Sequence, residues 1–476
     1  MKYFLAFLLA IPCTLSAATG DDSWSLQRCV SYALAHNISI QQSQLNERLA
    51  ALTLRQSKLS QLPNANVSTG YGISYGRSID PTTNQFVSGS YQFTSLGGQA
   101  DVLLFGWFQR RNTIAKNDLA HKAAQSDVSQ LQDDVSLNVA TGFLRALLAK
   151  EQIGVAQKQV DLSEKQYSQT RKFADAGRVP ELNVAQLSSQ LASDSSALIS
   201  AIGDYNAAIL DLKALLNLDF EQPFEIQPPE VNLAELAELS SYSAEDVYEE
   251  AHKHFGGVKS AQLKVESAQK GYQAAKGNLW PTITANAQVG TNFATTYKDY
   301  GTPVQSGTQF IGNVDVGGTQ YPINAPQYTV PVLGTTPYFD QYNNNLRQTY
   351  SLNLNVPLFN GWSAQSAVRQ AEVSMESQRL TEYSTELKLK QDIYKAVNDA
   401  TSSSEKYKAA IRAQDAAQTA YDFAEKRYDL GLTNTVEYLV TQNSQFKADA
   451  AAVSAKYDLI FRLKVIEYYL GRAMKL

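Results

Sequence analysis

Four stretches of the chain alternate strictly between apolar and polar residues, as strands with two unlike faces do. They lie at 64–75, in a run that ends at Phe105, at 282–289 and at 350–358. In the first stretch one face carries Ala, Val, Thr, Tyr and Ile, whereas the other carries only Asn, Ser and Gly. The pattern predicts four strands of about ten to twelve residues, a length that can cross a lipid bilayer.

Helical patterns surround these strands. Apolar residues spaced by three and four predict opening helices at about 25–62 and 243–280, which end before Pro63 and Pro281. After each strand pair the helical pattern lasts about 70 residues, which corresponds to a helix roughly 105 Å long. The first of these long helices, 107–177, has a narrow apolar seam of coiled-coil type. The seam consists of Val128, Leu131, Val135, Val139, Phe143, Ala146, Ala149, Ile153, Ala156 and Val160.

Glycines mark the turns between the long helices and the helices that return. Gly177 suits the left-handed position that ends a helix, and Pro180 suits the first position of the next helix. At the second turn, Gly431 is followed by Asn434, a typical N-cap, with Glu437 three residues later as in a capping box. The predicted turns and returning helices lie at about 177–180, 181–217, 431–434 and 435–471.

The same order of elements occurs twice, so the sequence predicts a tandem duplication. Pro63 recurs as Pro281, a shift of 218 residues, and Phe105 recurs as Phe359, a shift of 254 residues. The second copy therefore contains 254 − 218 = 36 additional residues between its two strands. The insertion lies within about 291–348 and, being rich in Gly, Tyr, Asn, Thr and Pro, predicts a long outer surface loop. The predicted repeats are 19–218, with a β-hairpin at about 63–105, and 243–476, with a β-hairpin at about 281–359, joined by a linker at 219–242.

The N-terminus has the composition of a secretory signal peptide. Lys2 precedes an apolar run at 4–11, and residues 16–18 (Ser-Ala-Ala) form a small-residue cleavage pattern, so we assign 1–18 to the signal. Only Cys29 remains after cleavage, which excludes an intrachain disulfide. An exported protein without disulfides must be stabilised by its core or by its partners.

Charge and hydropathy narrow the class of protein. The formal net charge is 41 − 46 = −5, and a mildly acidic chain does not attract nucleic acid. Beyond the signal peptide there is no run of eighteen apolar residues that could form a membrane helix. These facts are compatible with a soluble protein and equally with a membrane β-barrel, whose strands are only half apolar.

The strands favour a membrane barrel over the alternative, a soluble fibrous trimer whose core is the small polar face. Four strands cannot close a barrel, and open edges are not tolerated in lipid, so several copies must pool their strands. Two copies would give a barrel filled by side chains, whereas the small polar face favours a water-filled lumen and at least three copies. Trp107, Trp280 and Trp362 lie where strands meet helices, and we predict that they form an aromatic girdle at one membrane interface.

Several short motifs recur in a specific order and spacing. They are Ser25-Leu26, Ala33-Leu34 and Asn37, both proline-to-strand junctions, the strand exits 104–107 (Leu-Phe-Gly-Trp) and 358–362 (Leu-Phe-Asn-Gly-Trp), both glycine turns and the closing 467–471 (Glu-Tyr-Tyr-Leu-Gly). In these motifs the sequence resembles the TolC-like outer-membrane factor family over nearly its whole mature length. The resemblance implies an α+β membrane protein whose protomer contributes four strands to a trimeric, twelve-stranded outer-membrane β-barrel. A long antiparallel α-helical periplasmic tunnel would continue the barrel.

The resemblance also implies a location, partners and a function. The location is the outer membrane of a Gram-negative bacterium, with a large periplasmic portion. The partners are two further copies of the chain, a periplasmic adaptor (membrane fusion) protein, an inner-membrane transporter of the RND or ABC type, and outer-membrane lipid. The function is a passive exit duct of a tripartite efflux or type I secretion system. A self-sufficient porin-like channel and a structural coiled-coil surface protein are the alternatives, and the cargo (drug, metal, other small molecule or polypeptide) is left open.

The predicted turns would form the periplasmic tip, which in the family contacts the adaptor. The second turn matches the family's tip motif closely, whereas the first matches mainly at its glycine. An exposed apolar leucine pair at the second turn also has no other evident purpose. The tip residues implied by the resemblance are Ala176, Gly177, Arg178, Leu430, Gly431 and Leu432.

Two further residues near the second turn correspond to the family's tunnel-entrance gate. Glu437 lies where the family often places a ring of carboxylates, and three such groups near an axis would favour cations. The same residue could instead only complete the capping box. Tyr428 matches a tyrosine that helps to hold the tip closed, and its alternative role is ordinary packing.

The sequence contains no arrangement typical of catalysis. Its four histidines, His36, His121, His252 and His254, do not have a zinc-type spacing to acids or cysteines. A nucleophile elbow, a phosphate loop and a dinucleotide fingerprint are all missing from the sequence. We therefore expect a protein that is not an enzyme and has no cofactor or metal site.

Overall fold

The computed structural model describes residues 23–79, 86–228 and 242–472. The predicted signal peptide lies outside the described residues, and so does much of the predicted linker. The chain forms two compact units, and both long helices contribute to both of them. The first, which we call the helical unit, takes its described residues from 1–50, 120–265 and 378–476, and the second, the sheet unit, comprises 51–119 and 266–377.

Helices form most of the described chain. The two long helices, α3 and α8, have 67 residues each, and the helices that follow them have 36 and 35 residues. None of the described helices contains an apolar segment long enough to span a membrane. The helices in chain order are α1 (Leu26–His36), α2 (Ile38–Leu59), α3 (Gln109–Asp175), α4 (Glu181–Leu216), α5 (Ala244–His254), α6 (Gly256–Gly277), α7 (Tyr338–Asn344), α8 (Ser363–Asp429) and α9 (Thr435–Tyr469).

The first opening helix is broken at Asn37, which corrects the continuous helix predicted for 25–62. The backbone of Asn37 is extended, with φ of −65° and ψ of 126°. Its side-chain Oδ1 accepts hydrogen bonds from the backbone N–H groups of Ser39 and Ile40. Asn37 therefore ends α1 and at the same time serves as the N-cap of α2.

The second opening helix is broken at the equivalent place, Phe255, so the continuous helix predicted for 243–280 is also wrong. Phe255 has an extended backbone, with φ of −64° and ψ of 116°. The next residue, Gly256, lies so close to α3 that a Cβ would come within 2.9 Å of the Ser126 carbonyl oxygen. The break allows this close approach, and a glycine is needed there because a larger residue would clash.

The sheet unit contains a four-stranded antiparallel sheet with the strand order β10-β5-β3-β2. Strands β2 and β3 have 16 and 20 residues, longer than predicted, because their pairing continues past the alternating stretch through Gly76 and Arg77. Strands β5 and β10 have 13 and 9 residues. The strands in chain order are β1 (Ser23–Trp24), β2 (Asn64–Ile79), β3 (Phe86–Phe105), β4 (Glu225–Ile226), β5 (Thr282–Ala294), β6 (Lys298–Tyr300), β7 (Val304–Val316), β8 (Thr319–Thr329), β9 (Val332–Thr335) and β10 (Arg347–Asn355).

The register of this sheet places all four alternating patterns in phase. One row of directly paired residues consists of Ala65, Ala100, Ala287 and Tyr350. The adjacent row consists of Asn66, Gln99, Gln288 and Thr349. Side chains alternate between faces along a strand, so the sheet has one apolar and one polar face. Much of the apolar face is open, with Val67 81% and Leu352 72% exposed.

The insertion predicted as a long surface loop within 291–348 contains regular strands and a short helix. Strands β7 and β8 form a hairpin whose two-residue turn is Gly317-Gly318, with φ of 64° and 87°, and β6 pairs with β9. Positive φ at both turn residues is typical of a type I′ hairpin, for which Gly-Gly is a known signal. Nearly every side chain of β7 and β8 is exposed, so no buried face selects an alternating pattern of apolar residues in this segment.

The core of the helical unit follows the apolar seam predicted for α3. Six of the ten seam residues are buried: Val135, Val139, Phe143, Ala146, Ala149 and Ala156. The four others are half-buried. Cys29 of α1 belongs to the same cluster, where it is fully buried and free, and burial raises the pKa of its thiol to about 12. The thiol therefore behaves as a small apolar group rather than as a nucleophile.

Candidate functional site

The first turn between a long and a returning helix ends α3 with a Schellman motif. Gly177 has φ of 72°, and its N–H donates to the carbonyl oxygen of Ala174 at 2.8 Å. The N–H of Arg178 donates to the carbonyl oxygen of Phe173, also at 2.8 Å. Both bonds satisfy carbonyls that the end of a helix leaves without partners. Glycine fits because this left-handed conformation is strained for residues with a Cβ.

The second turn repeats this geometry at the end of α8. Gly431 has φ of 70°, and its N–H donates to the carbonyl oxygen of Tyr428 at 2.9 Å. The N–H of Leu432 donates to the carbonyl oxygen of Arg427 at 2.8 Å. The two predicted tip glycines are therefore structurally equivalent.

The side chains of the two turns differ in chemistry. At the second turn Leu430 is 73% exposed and Leu432 is 65% exposed. At the first turn Ala176 and Arg178 are exposed, and Arg171 pairs with Glu181 at 3.2 Å between Nη1 and Oε2. The second turn therefore presents an apolar surface, whereas the first presents a mainly polar one.

Glu437 forms only half of the predicted capping box. Its backbone N–H donates to Asn434 Oδ1 at 2.8 Å, as the motif requires. Its carboxylate does not turn back to the N-cap but accepts a hydrogen bond from Thr433 Oγ1 at 2.6 Å, and Arg427 Nη1 lies 3.5 Å from its other oxygen. The side chain remains 53% exposed, so the carboxylate is available to solvent as well.

Tyr428 packs against a second tyrosine that the sequence analysis did not single out. The rings of Tyr428 and Tyr438 stack with centroids 4.6 Å apart and an angle of 14° between their planes. Tyr438 is only 2% exposed. Its hydroxyl accepts a hydrogen bond from Gln166 Nε2 on α3 and shares one of 3.0 Å with the Tyr421 hydroxyl on α8. Tyr438 therefore connects α3 with the hairpin formed by α8 and α9.

The surroundings of Tyr438 are polar yet incompletely bonded. Burial, followed by the hydrogen bond with Tyr421, raises the pKa of Tyr438 far above its usual range, so it stays a neutral phenol. Within the described residues, the side-chain amide of Gln442 is buried without a hydrogen-bond partner at either atom, and Gln166 Oε1 also lacks one. Each such group costs about 1–3 kcal/mol. The polar layer around Tyr438 is therefore only partly hydrogen-bonded within a single chain.

The three predicted girdle tryptophans lie in the sheet unit, at the end where strands connect to helices. Trp107 and Trp280 pack together with ring centroids 4.7 Å apart. Trp107, Trp280 and Trp362 are 39%, 51% and 59% exposed. Trp107 and Trp362 have positive φ angles of 47° and 67°, so the backbone bends locally between each of the strands β3 and β10 and the long helix that follows it.

Histidines and acids do not cluster as metal ligands in the described part of the chain. His121 Nε2 lies 2.6 Å from Glu47 Oε1, and His252 Nε2 lies 3.4 Å from Glu386 Oε1. Both are pairwise contacts between neighbouring helices rather than parts of a larger constellation.

Comparison with known proteins agrees with this arrangement. The sequence profile of the outer membrane efflux protein family matches residues 29–218 and 247–472. The outer membrane protein TolC of Salmonella enteritidis is 21% identical, over 99% of this chain and 86% of its own length. The structure of the outer membrane protein VceC from Vibrio cholerae gives a TM-score of 0.73 at 14% identity, covering 94% of this chain and 97% of its own. The Campylobacter jejuni CmeC outer membrane channel gives 0.72 at 16% identity, covering 94% and 85%.

The chain therefore belongs to the outer membrane efflux protein family. Its α+β fold is that of the family's trimeric channels, in which strands form a β-barrel and helices continue it as a tunnel. It is a protein of the Gram-negative outer membrane and an exit duct of efflux systems, and the channels of this family are not enzymes. The predicted family, fold class, location and function are confirmed, whereas the roles of individual residues stay predictions.

Replacing Tyr438 with Phe should loosen the packing beside the second turn. The change removes one hydroxyl and leaves Gln166 Nε2 and the Tyr421 hydroxyl without this partner, which costs about 1–2 kcal/mol. Amides around residues 437–442 should then exchange with deuterium about five to thirty times faster. Tyr428→Phe is the matched control, because its hydroxyl makes a single contact of 3.4 Å with Thr435 Oγ1. Equal acceleration in both variants would contradict the role of Tyr438.

Proposed function

We propose that three copies of this chain assemble into a passive duct through the outer membrane. The observation that supports this most strongly is the four-stranded sheet, in which β2 and β10 each have an unpaired edge within the described residues. Backbone groups in lipid need partners inside the protein, so these edges pair with those of neighbouring copies. Three copies contribute twelve strands, with the apolar face towards lipid. The two segments matched by the family profile support the proposed repeats, 19–218 and 243–476.

The polar face of the sheet lines the lumen in this assembly. The row of Asn66, Gln99, Gln288 and Thr349 is uncharged, the other positions of β2 on this face are Asn, Ser and Gly, and Asp101 on β3 adds a carboxylate to the adjacent row. Small polar side chains leave space for water in a barrel of this size. The duct has no catalytic activity of its own, so its partners supply the energy for export. Trp107, Trp280 and Trp362 form the girdle at the periplasmic interface.

We also propose that the two helix turns form the periplasmic tip that meets a periplasmic adaptor protein, which in turn links the duct to an inner-membrane transporter. The exposed Leu430 and Leu432 supply the apolar part of the contact, and Ala176 and Arg178 flank it. The two equivalent glycine turns, Gly177 and Gly431, allow both hairpins to present the same backbone shape.

The assembly itself is tested by fractionation of outer membranes. The protein should resist extraction by alkaline carbonate and should migrate without heating as a species about three times the mass of one chain, since edge pairing in lipid is extensive. Heating should convert this species into the monomer. Release by carbonate would instead identify a peripheral coiled-coil surface protein. A stable monomer in the membrane would refute a barrel built from the strands of several copies.

The adaptor contact is tested by the variant Leu430→Ser, Leu432→Ser. Removing two exposed leucines from an interface should weaken binding at least about tenfold, measured as co-purification of a periplasmic adaptor protein that the wild-type channel recruits. Leu380→Ser is the matched control, because Leu380 is 71% exposed on α8, the helix that precedes the turn, but lies far from the turn in sequence. Both variants must retain the heat-sensitive trimer. Equal adaptor recovery from both would exclude the turn as the contact, and a wild-type channel that recruits no adaptor would behave as a porin.

The gate role of Glu437 is tested by Glu437→Gln. The amide still accepts the hydrogen bond from Thr433, and the backbone cap is unchanged, so the substitution removes the charge and, with it, the ion pair with Arg427. If three carboxylates narrow the tunnel entrance, the ratio of cation to anion permeability in planar bilayers should fall towards one. Glu405→Gln is the control, because Glu405 is exposed on α8 and paired with Lys408. Unchanged selectivity would leave Glu437 as a helix cap alone.

A further inference from the structure

Helix α7, which lies within the insertion of the second repeat, packs on the far end of the sheet, opposite the end at which strands connect to helices. Thr94 Oγ1 on β3 lies 3.2 Å from the hydroxyl of Tyr338 and 3.0 Å from that of Tyr342. The ring of Tyr338 also packs against Phe293 on β5, with centroids 4.8 Å apart. One surface of α7 is therefore attached to two neighbouring strands.

Further hydrogen bonds fix the orientation of the helix. Gln341 is only 2% exposed; its Oε1 accepts from the Ala294 N–H at 3.0 Å, and its Nε2 donates to the Thr336 carbonyl oxygen at 2.8 Å. Thr291 Oγ1 donates to the carbonyl oxygen of Tyr342 at 2.7 Å. A buried amide that is bonded at both atoms holds a segment in one position. The side chains that point away from the sheet are consequently held in place as well.

The register of the sheet shows which face α7 covers. Thr94 is paired with Tyr71 on one side and with Phe293 on the other, and Leu96 is paired with Thr291. These residues lie four and six positions further along their strands than the apolar row of Ala65, Ala100 and Ala287, so they are on the same face. Helix α7 therefore lies on the apolar face, which is the lipid side in the proposed duct.

The exposed part of α7 combines aromatic residues with one acidic residue, Asp340. Phe339 is 78% exposed and Tyr338 is 40% exposed. The sequence contains no Lys or Arg between Lys298 and Arg347. A rigidly held, exposed phenylalanine beside a partly exposed tyrosine ring matches the boundary between acyl chains and headgroups, where aromatic residues are enriched.

The spacing along β5 places α7 at the correct height for such a boundary. From Ile283, the first apolar position of β5, to Phe293 there are 293 − 283 = 10 residue steps. At about 3.3 Å per residue and a tilt of about 40°, these steps span about 25 Å along the membrane normal, which is the height of the apolar band of outer-membrane barrels. Trp280 lies just beyond one end of this span, and α7 lies at the other.

We propose that α7 is an interfacial anchor that binds the lipid surface of the outer leaflet, with Phe339 inserted at the boundary between headgroups and acyl chains. The proposal rests on the proposed duct, since it takes the apolar face as the lipid side. It assigns to the insertion a membrane contact that complements the tryptophan girdle at the opposite interface.

Site-directed spin labelling tests the depth of Phe339. The labelled variant is Phe339→Cys in a Cys29→Ala background, purified as the trimer and reconstituted into vesicles of palmitoyl-oleoyl-phosphatidylcholine. Leu352→Cys, on the apolar face of β10, provides the hydrocarbon control, and Val316→Cys, beside the turn of the β7–β8 hairpin, provides the aqueous control. Collision with oxygen and with a water-soluble nickel chelate is measured by electron paramagnetic resonance.

We expect the Phe339 label to have an oxygen-to-nickel accessibility ratio between those of the two controls. A nickel accessibility equal to that of the Val316 label would overturn the anchor, and so would poor access of both reagents, which would indicate cover by a second copy or another protein. A Leu352 label that is itself accessible to nickel would instead refute the proposed duct, so the two failures are distinguishable. Unheated trimer in every variant confirms that the label has not disrupted the assembly.

Discussion

Backbone hydrogen bonding at the edges of a sheet in lipid constrains this molecule more than any other single interaction. Inside a bilayer no water can satisfy the outer N–H and C=O groups of β2 and β10, so a single chain with four strands is incomplete there. The arrangement of the two repeats follows from the same constraint. Strands β3 and β5, from different repeats, pair with each other at the centre, which leaves one edge strand from each repeat to meet a neighbouring copy.

The in-phase register makes a barrel formed by strands from several copies suitable for transport. Because the four alternating patterns coincide, one assembly of strands can be apolar towards lipid and polar towards its lumen along its whole height. The ends of the long helices also leave backbone carbonyl groups without partners. Both turns satisfy these groups locally with the same glycine motif. The leucines of the second turn remain exposed and can contact a partner.

Features that depend on periodicity over many residues could be predicted from the sequence, and features that depend on one side chain or one distant contact could not. The alternating strands and the 67-residue helices repeat their signals many times. The breaks at Asn37 and Phe255 depend on a single cap and on close packing beneath Gly256, which periodicity does not record. Tyr438 was missed because its partner Gln166 lies 272 residues away in the sequence. The β7–β8 hairpin was missed because its strands bury no face, although its Gly-Gly turn was a usable signal.

The equal length of α3 and α8 has a consequence for how such a chain can change over evolution. Deleting one residue from either helix would shift the rest of that helix by about 1.5 Å along its axis and rotate it by about 100°. The rotation would turn the apolar seam away from the helices that it packs against. A length change is therefore tolerated only if the returning helix, and in practice the other repeat, changes with it. The connection between β5 and β10 can change length without a matching change elsewhere in the chain. The two repeats differ by 36 residues in this connection. Gains and losses of residues should accordingly concentrate in that connection, while the long helices diverge by substitution alone.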